Sequence, residues 1–124
     1  MEVAELKKII SEVQAKHPQL TQFGFGGKGE IRPEGVDLCI QWIFHHDGLD
    51  RRKTINTKIG SYGLKHAVER YYNRPYFNKQ NLDGYNHTYI ANGEFICAAL
   101  YLGYKMKRSG PNAYFNLKTF KEKQ

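Results

Sequence analysis

Apolar residues recur at two periods along this chain, and the changes of period mark its elements. Val3, Leu6, Ile10 and Val13 lie three or four residues apart, which puts them on one face of a helix expected over residues 2 to 16 and closed by His17-Pro18. From Val36 the spacing reads as two, with Val36, Leu38, Ile40, Trp42 and Phe44 on one side and Asp37, Cys39, Gln41 and His45 on the other. This alternation predicts a half-buried strand; His46-Asp47-Gly48 supplies turn chemistry, and Arg51 to Ile59 returns as the second strand of a hairpin. Ser61 is then expected to cap a helix through SYGLKHAVERYY, with Leu64, Ala67 or Val68, and Tyr71 on its buried face.

The densest apolar run lies between Tyr89 and Leu117. A helix is expected from Gly93 to Leu102, with Asn92 as cap, Glu94 placed favourably for the helix dipole and Gly103 as a left-handed exit. Asn92-Gly93 is also a hairpin-turn signal, but Ala98, Ala99, Leu100 and Leu102 favour the helix. Beyond Gly103 the period becomes two, so strands through Tyr104–Lys107 and Ala113–Leu117 should pair around Ser109-Gly110-Pro111-Asn112.

The expected fold is a single α+β domain. Residues 1–58 supply a helix and a β-hairpin; residues 59–124 supply a helix-helix-β-hairpin unit that resembles a winged helix and carries a long inserted segment over residues 73–88. In such a unit a recognition helix needs polar side chains for the groove, and the run Phe95 to Leu102 offers almost none. Any nucleic-acid contact is therefore expected from the hairpin and loops, through phosphates.

Charge sharpens that expectation. Residues 1–50 hold 5 Lys/Arg against 8 Asp/Glu and residues 51–124 hold 14 against 4, so the two parts carry −3 and +10. Such asymmetry suits a polyanion or an acidic protein. The candidate nucleic-acid-binding residues are Arg51, Arg52 and Lys53 at the mouth of the first hairpin, Arg74 in the inserted segment, Lys105, Lys107 and Arg108 on the last hairpin, and Lys118 beyond it. In the inserted segment Tyr76, Phe77 and Tyr85 alternate with Arg74 and Lys79, either as a stacking surface for a single strand or as pins onto the core.

Composition bounds the rest. With 124 residues, 40% of them hydrophobic, the chain can bury one core, and no stretch approaches the roughly 18 apolar residues of a membrane span. Met1-Glu2 leads directly into an amphipathic helix without a signal-peptide core, so a cytoplasmic protein with no membrane contact is expected. Cys39 and Cys97 fall in apolar elements, where free thiols act as small hydrophobes.

Signals for catalysis are weak. FGFGGKG, residues 23–29, lacks the Ser or Thr that must follow the lysine of a phosphate-binding loop and lacks a preceding strand. It reads as a turning surface loop whose Phe23 and Phe25 either anchor it or stack on a ligand. His45-His46-Asp47 has no second ligand pair, and Ser61 and Ser109 have no nucleophile-elbow context, so no catalytic residue, metal or cofactor is expected.

The phrases INTKIGSYGLKHAVE, YIANGEFICAALYLGY and GPNAYFNL resemble a group of short, mostly uncharacterised proteins carried by plasmids, phages and integrative elements. The resemblance covers residues 54–118; the relatives join the two helices by a shorter link, and residues before 54 have no counterpart in them. It implies a mobile-element origin and brings no activity or site residues with it. The expected function is that of a small basic accessory protein that binds nucleic acid, DNA foremost. Two alternatives remain open: a counter-defence inhibitor that binds an acidic host protein complex, and a small-ligand binder that uses the glycine loop or the aromatic segment.

Overall fold

A computed structural model describes residues 1–74 and 88–118 of the chain. In order, the described elements are α1 (Val3–Lys16), β1 (Leu20–Thr21), β2 (Gly24–Phe25), α2 (Pro33–Asp47), α3 (Ser61–Tyr72), α4 (Asn92–Tyr101), β3 (Met106–Ser109) and β4 (Asn112–Phe115). The class is α+β, and the order of N-terminal helix, hairpin, helices and closing hairpin is the one expected. Among the described residues no helix is long and apolar enough to cross a membrane.

The first hairpin lies elsewhere than the alternation suggested. It is formed by β1 and β2, while the residues expected to alternate in a strand form α2. Two periods overlap there, because Val36, Cys39, Ile40, Ile43 and Asp47 also fit helical spacing, and these are the residues that become buried. Phe44, assigned to the core face of a strand, is 60% exposed, whereas Cys39, assigned to the polar face, is fully buried. Pro33 in the first turn and the left-handed Gly48 after the last supply start and stop signals. Residues 51–59 form no strand; Asn56 makes one isolated bridge to Phe115.

The last three elements follow the expectation closely. Gly103 leaves α4 at φ 88°, and β3 pairs with β4 from Met106↔Phe115 to Ser109↔Asn112, leaving Gly110 and Pro111 as a two-residue turn. Two caps differ. Gly60, rather than Ser61, precedes α3; the buried Ser61 Oγ instead accepts the Ala113 N–H at 3.0 Å and ties α3 to β4. Ala91, rather than Asn92, precedes α4, and its N–H is taken by the Glu94 carboxylate at 2.9 Å.

α4 is the centre of the core, with Asn92 through Ala99 all buried. It packs against α2 most extensively and also against α1, α3 and both hairpins. Trp42 and Phe115 meet its Phe95 at ring-centroid distances of 6.2 and 6.3 Å. Two glycines make the close approach possible: a Cβ on Gly35 would lie 2.1 Å from Glu94 Oε1, and one on Gly93 would lie 1.8 Å from the Thr21 carbonyl oxygen.

Buried side chains elsewhere tie loops to this core. Asp47 accepts the Tyr104 hydroxyl at 2.7 Å and the Lys118 N–H at 2.8 Å, and Asn116 bridges the Lys105 N–H and the Arg52 carbonyl. At the end of α3 the Asn73 amide donates to the Thr88 carbonyl and accepts the Thr88 N–H, so the residues flanking the inserted segment are held together.

Candidate nucleic-acid interface

The eight candidate cations divide by what their heads meet. Arg51 lies over the Tyr104 ring at 4.6 Å and donates to the Leu49 and Leu102 carbonyls, while Lys118 pairs with Asp50 at 2.5 Å. Arg108 donates to Gln19 and to the Gly110 carbonyl and lies 4.6 Å over the Phe25 ring. Arg74 lies over Tyr71 at 5.2 Å, at the other end of α3 from the hairpin. The aromatics expected to accompany Arg74, namely Tyr76, Phe77 and Tyr85, and with them Lys79, lie outside the described residues.

Lys105 and Lys107 are different. Lys107 lies in β3 opposite Tyr114, and Lys105 stands just before the strand beside Asn116, so the alternation of extended chain puts both on the outer face of the hairpin. Both are exposed, and no ion pair is formed by either among the described residues. Arg108 belongs to the opposite face, with Met106, and does not extend this edge. The Arg52 N–H donates to the Asn116 carbonyl at 2.9 Å, which brings Arg52 and the exposed Lys53 to the same end of the hairpin as Lys105. Burial and then the hydrogen bond to Asp47 push the Tyr104 hydroxyl pKa well up, so the ring beneath Arg51 remains neutral.

A second feature lies at the hairpin tip. Two backbone bonds and one side-chain bond draw separate segments together there: Gly93 N–H to the Gln22 carbonyl at 2.8 Å, Phe25 N–H to the Pro111 carbonyl at 3.0 Å, and Ala113 N–H to Ser61 Oγ. Between them opens a concavity of about 570 Å³ lined by Phe23, Tyr62, Lys65, Tyr89, Asn92 and Asn112. Phe23, Tyr62 and Tyr89 are 48%, 56% and 46% exposed. The buried Lys65 ammonium lies 5.3 Å from the Tyr62 ring centre and 4.8 Å from that of Tyr89, and donates to Glu69 at 3.1 Å. Glu69 also accepts the Ile90 N–H and bonds His66, so its charge is well satisfied. Asn92 donates through Nδ2 to the Pro111 carbonyl and to Asn112 Oδ1, while its buried Oδ1 has no hydrogen-bond partner among the described residues.

Residue types alone did not reveal this concavity. Phe23 was a candidate for stacking, and Phe25 proves to be its buried anchor. The other lining residues sit within SYGLKH, YIANG and GPNA, where aromatic and amide side chains adjoin glycines, but nothing local indicates that these phrases converge. His45 and His46 belong to the last turn of α2 rather than to a loop; the His46 ring stacks on Trp42 at 4.6 Å. Among the described residues no group of three or more His, Cys, Asp or Glu side chains is arranged to hold a metal ion.

Set against protein-family models, curated proteins and solved structures, the chain matches none of them.

Proposed function

We propose that the chain is a nucleic-acid-binding accessory protein of a mobile element, and that the outer face of β3 is its phosphate-contacting edge. The observation that carries this reading is the pair Lys105 and Lys107: exposed, two residues apart across the start of β3, without an anionic partner among the described residues, and next to the Arg52–Lys53 loop. The +10 charge of residues 51–124 supports it, and the mobile-element origin rests on the resemblance of residues 54–118 alone. The buried α4 favours phosphate contact over groove readout, because Asn92 to Ala99 have no surface to offer a base edge. Affinity is then electrostatic and falls steeply with salt, as each neutralised phosphate releases condensed counterions.

The test is the salt dependence of duplex DNA binding, followed by fluorescence anisotropy. Replacing Lys105 and Lys107 together with Ala lowers the log-log slope by roughly two, about one per contact, and weakens unrelated sequences alike. A wild-type protein that binds neither duplex nor single-stranded DNA at low salt, or a folded double variant with an unchanged slope, sinks the reading. A stoichiometric host protein that survives nuclease in a pull-down would put inhibition of a protein complex in its place.

A further inference from the structure

The concavity at the hairpin tip is built for something flat. Of the five aromatic side chains exposed among the described residues, Phe23, Tyr62 and Tyr89 line it, although they come from the β1–β2 turn, α3 and the approach to α4. Its volume of about 570 Å³ falls in the range of small-ligand sites, roughly 300 to 1,000 Å³. Its two buried polar side chains are committed within the protein, so the rings are what it offers a ligand. Lys65 is already matched by Glu69 and covered by two rings, so it is a poor phosphate ligand. Asn92 is 5% exposed and its Nδ2 is committed to the hairpin turn, so it forms a wall of the concavity and not a ligand group.

We propose that this concavity holds an unstacked nucleobase of a single strand. The aromatic rings take its face. In a duplex the faces are occupied by neighbouring pairs, so only an unpaired or flipped base presents one to the rings. This rests on the nucleic-acid reading above, with β3 supplying phosphate contacts next to the turn that walls the concavity. The partner is thus single-stranded nucleic acid, or a junction of single and double strand, rather than duplex alone.

The experiment compares a labelled oligodeoxycytidine of about 12 nucleotides with a duplex of the same length, using wild type, Phe23→Ala/Tyr62→Ala and Lys105→Ala/Lys107→Ala. Loss of stacking should weaken the single strand roughly 10-fold or more while leaving duplex affinity unchanged, whereas the lysine pair should weaken both. If the aromatic pair fails to fold, Tyr62→Ala alone, at a side chain 56% exposed, carries the same expectation. A folded aromatic variant with unchanged single-strand affinity overturns the inference and leaves the lysine edge standing. Failure of wild type to bind either nucleic acid removes the functional reading beneath it. Cytidine monophosphate competing as well as the oligomer would overturn the strand in favour of a free-nucleotide pocket.

Discussion

The first turn of α4 and the outer face of β3 both carry charge, and they differ in what that charge meets. At the first turn, fully buried Glu94 accepts four hydrogen bonds, from the Ala91 N–H and from the Arg32 N–H, Nε and Nη2, each at 2.9 Å. These bonds raise the Arg32 pKa above its ordinary value, with burial opposing them. At β3, Lys107 and, just before the strand, Lys105 face water and hold no anion among the described residues. Charge that is matched inside the fold serves architecture, because its removal leaves partners stranded; charge left unmatched outside costs folding little and remains available to a polyanion.

The largest expected effect is Ala98→Glu, which puts an unmatched carboxylate at a position of zero exposure on α4. It should prevent folding or cost more than about 4 kcal/mol, visible by circular dichroism and chemical denaturation. A melt within a few degrees of wild type would show that this face of α4 is open, and would erase the contrast with β3.

Glu94→Ala comes next, at about 3 to 5 kcal/mol, since it strands the Arg32 guanidinium and two backbone N–H groups. Adding Arg32→Met should recover part of the loss but not all, because the Ala91 and Arg32 amides still lack their acceptor. Equal stability of Glu94→Ala and wild type in urea would contradict the architectural role.

Alkaline pH offers a third, smaller probe of the interior. Burial pushes the Cys97 thiol from 9.0 up to about 12 and raises that of Cys39 as well. A folded pKa above the unfolded one means that stability is complete below pH 9 and is lost as pH rises toward 12, since the unfolded chain releases its protons first. The urea midpoint should fall over that window, and Cys97→Ala should flatten the fall; a midpoint flat to pH 11 in wild type would refute burial of the thiol. At neutral pH neither thiol should react with a disulfide reagent until the protein unfolds.

The smallest effect should come from Lys105→Ala/Lys107→Ala, whose stability should stay within about 0.5 kcal/mol of wild type while the salt slope of binding falls. A loss comparable to that of Glu94→Ala would mean that these lysines belong to the architecture after all.

Local signals located most elements. Val3, Leu6, Ile10 and Val13 marked α1 by one apolar stripe, and at α4 the helix formers Ala98, Ala99, Leu100 and Leu102 with Gly103 behind them outweighed the hairpin signal of Asn92-Gly93. Residues 36–45 had two readings, and alternation hid the helical set Val36, Cys39, Ile40 and Ile43. Cys39 counts as a polar interruption in a strand and as a core residue in a helix, so one ambiguous side chain tipped the period. Ser61, Asn92 and Glu94 are capping types at helix starts, yet Ser61 and Asn92 bond to a hairpin about 50 and 20 residues away, and Glu94 reaches 62 residues back to Arg32. Propensity names such residues as helix beginnings but cannot say which distant donor will compete for them.

By itself the sequence determined the α+β class, the apolar α4, the closing hairpin and a second part far more basic than the first, since these follow from spacing and composition that no packing can alter. Only the tertiary structure decided which charges stay unmatched, that Arg108 turns away from Lys105 and Lys107, and that Phe23, Tyr62, Tyr89 and Asn92 meet around one concavity. Those outcomes depend on backbone bonds between segments far apart in the chain, Gly93 to Gln22 and Phe25 to Pro111, and on glycines small enough to let the segments touch.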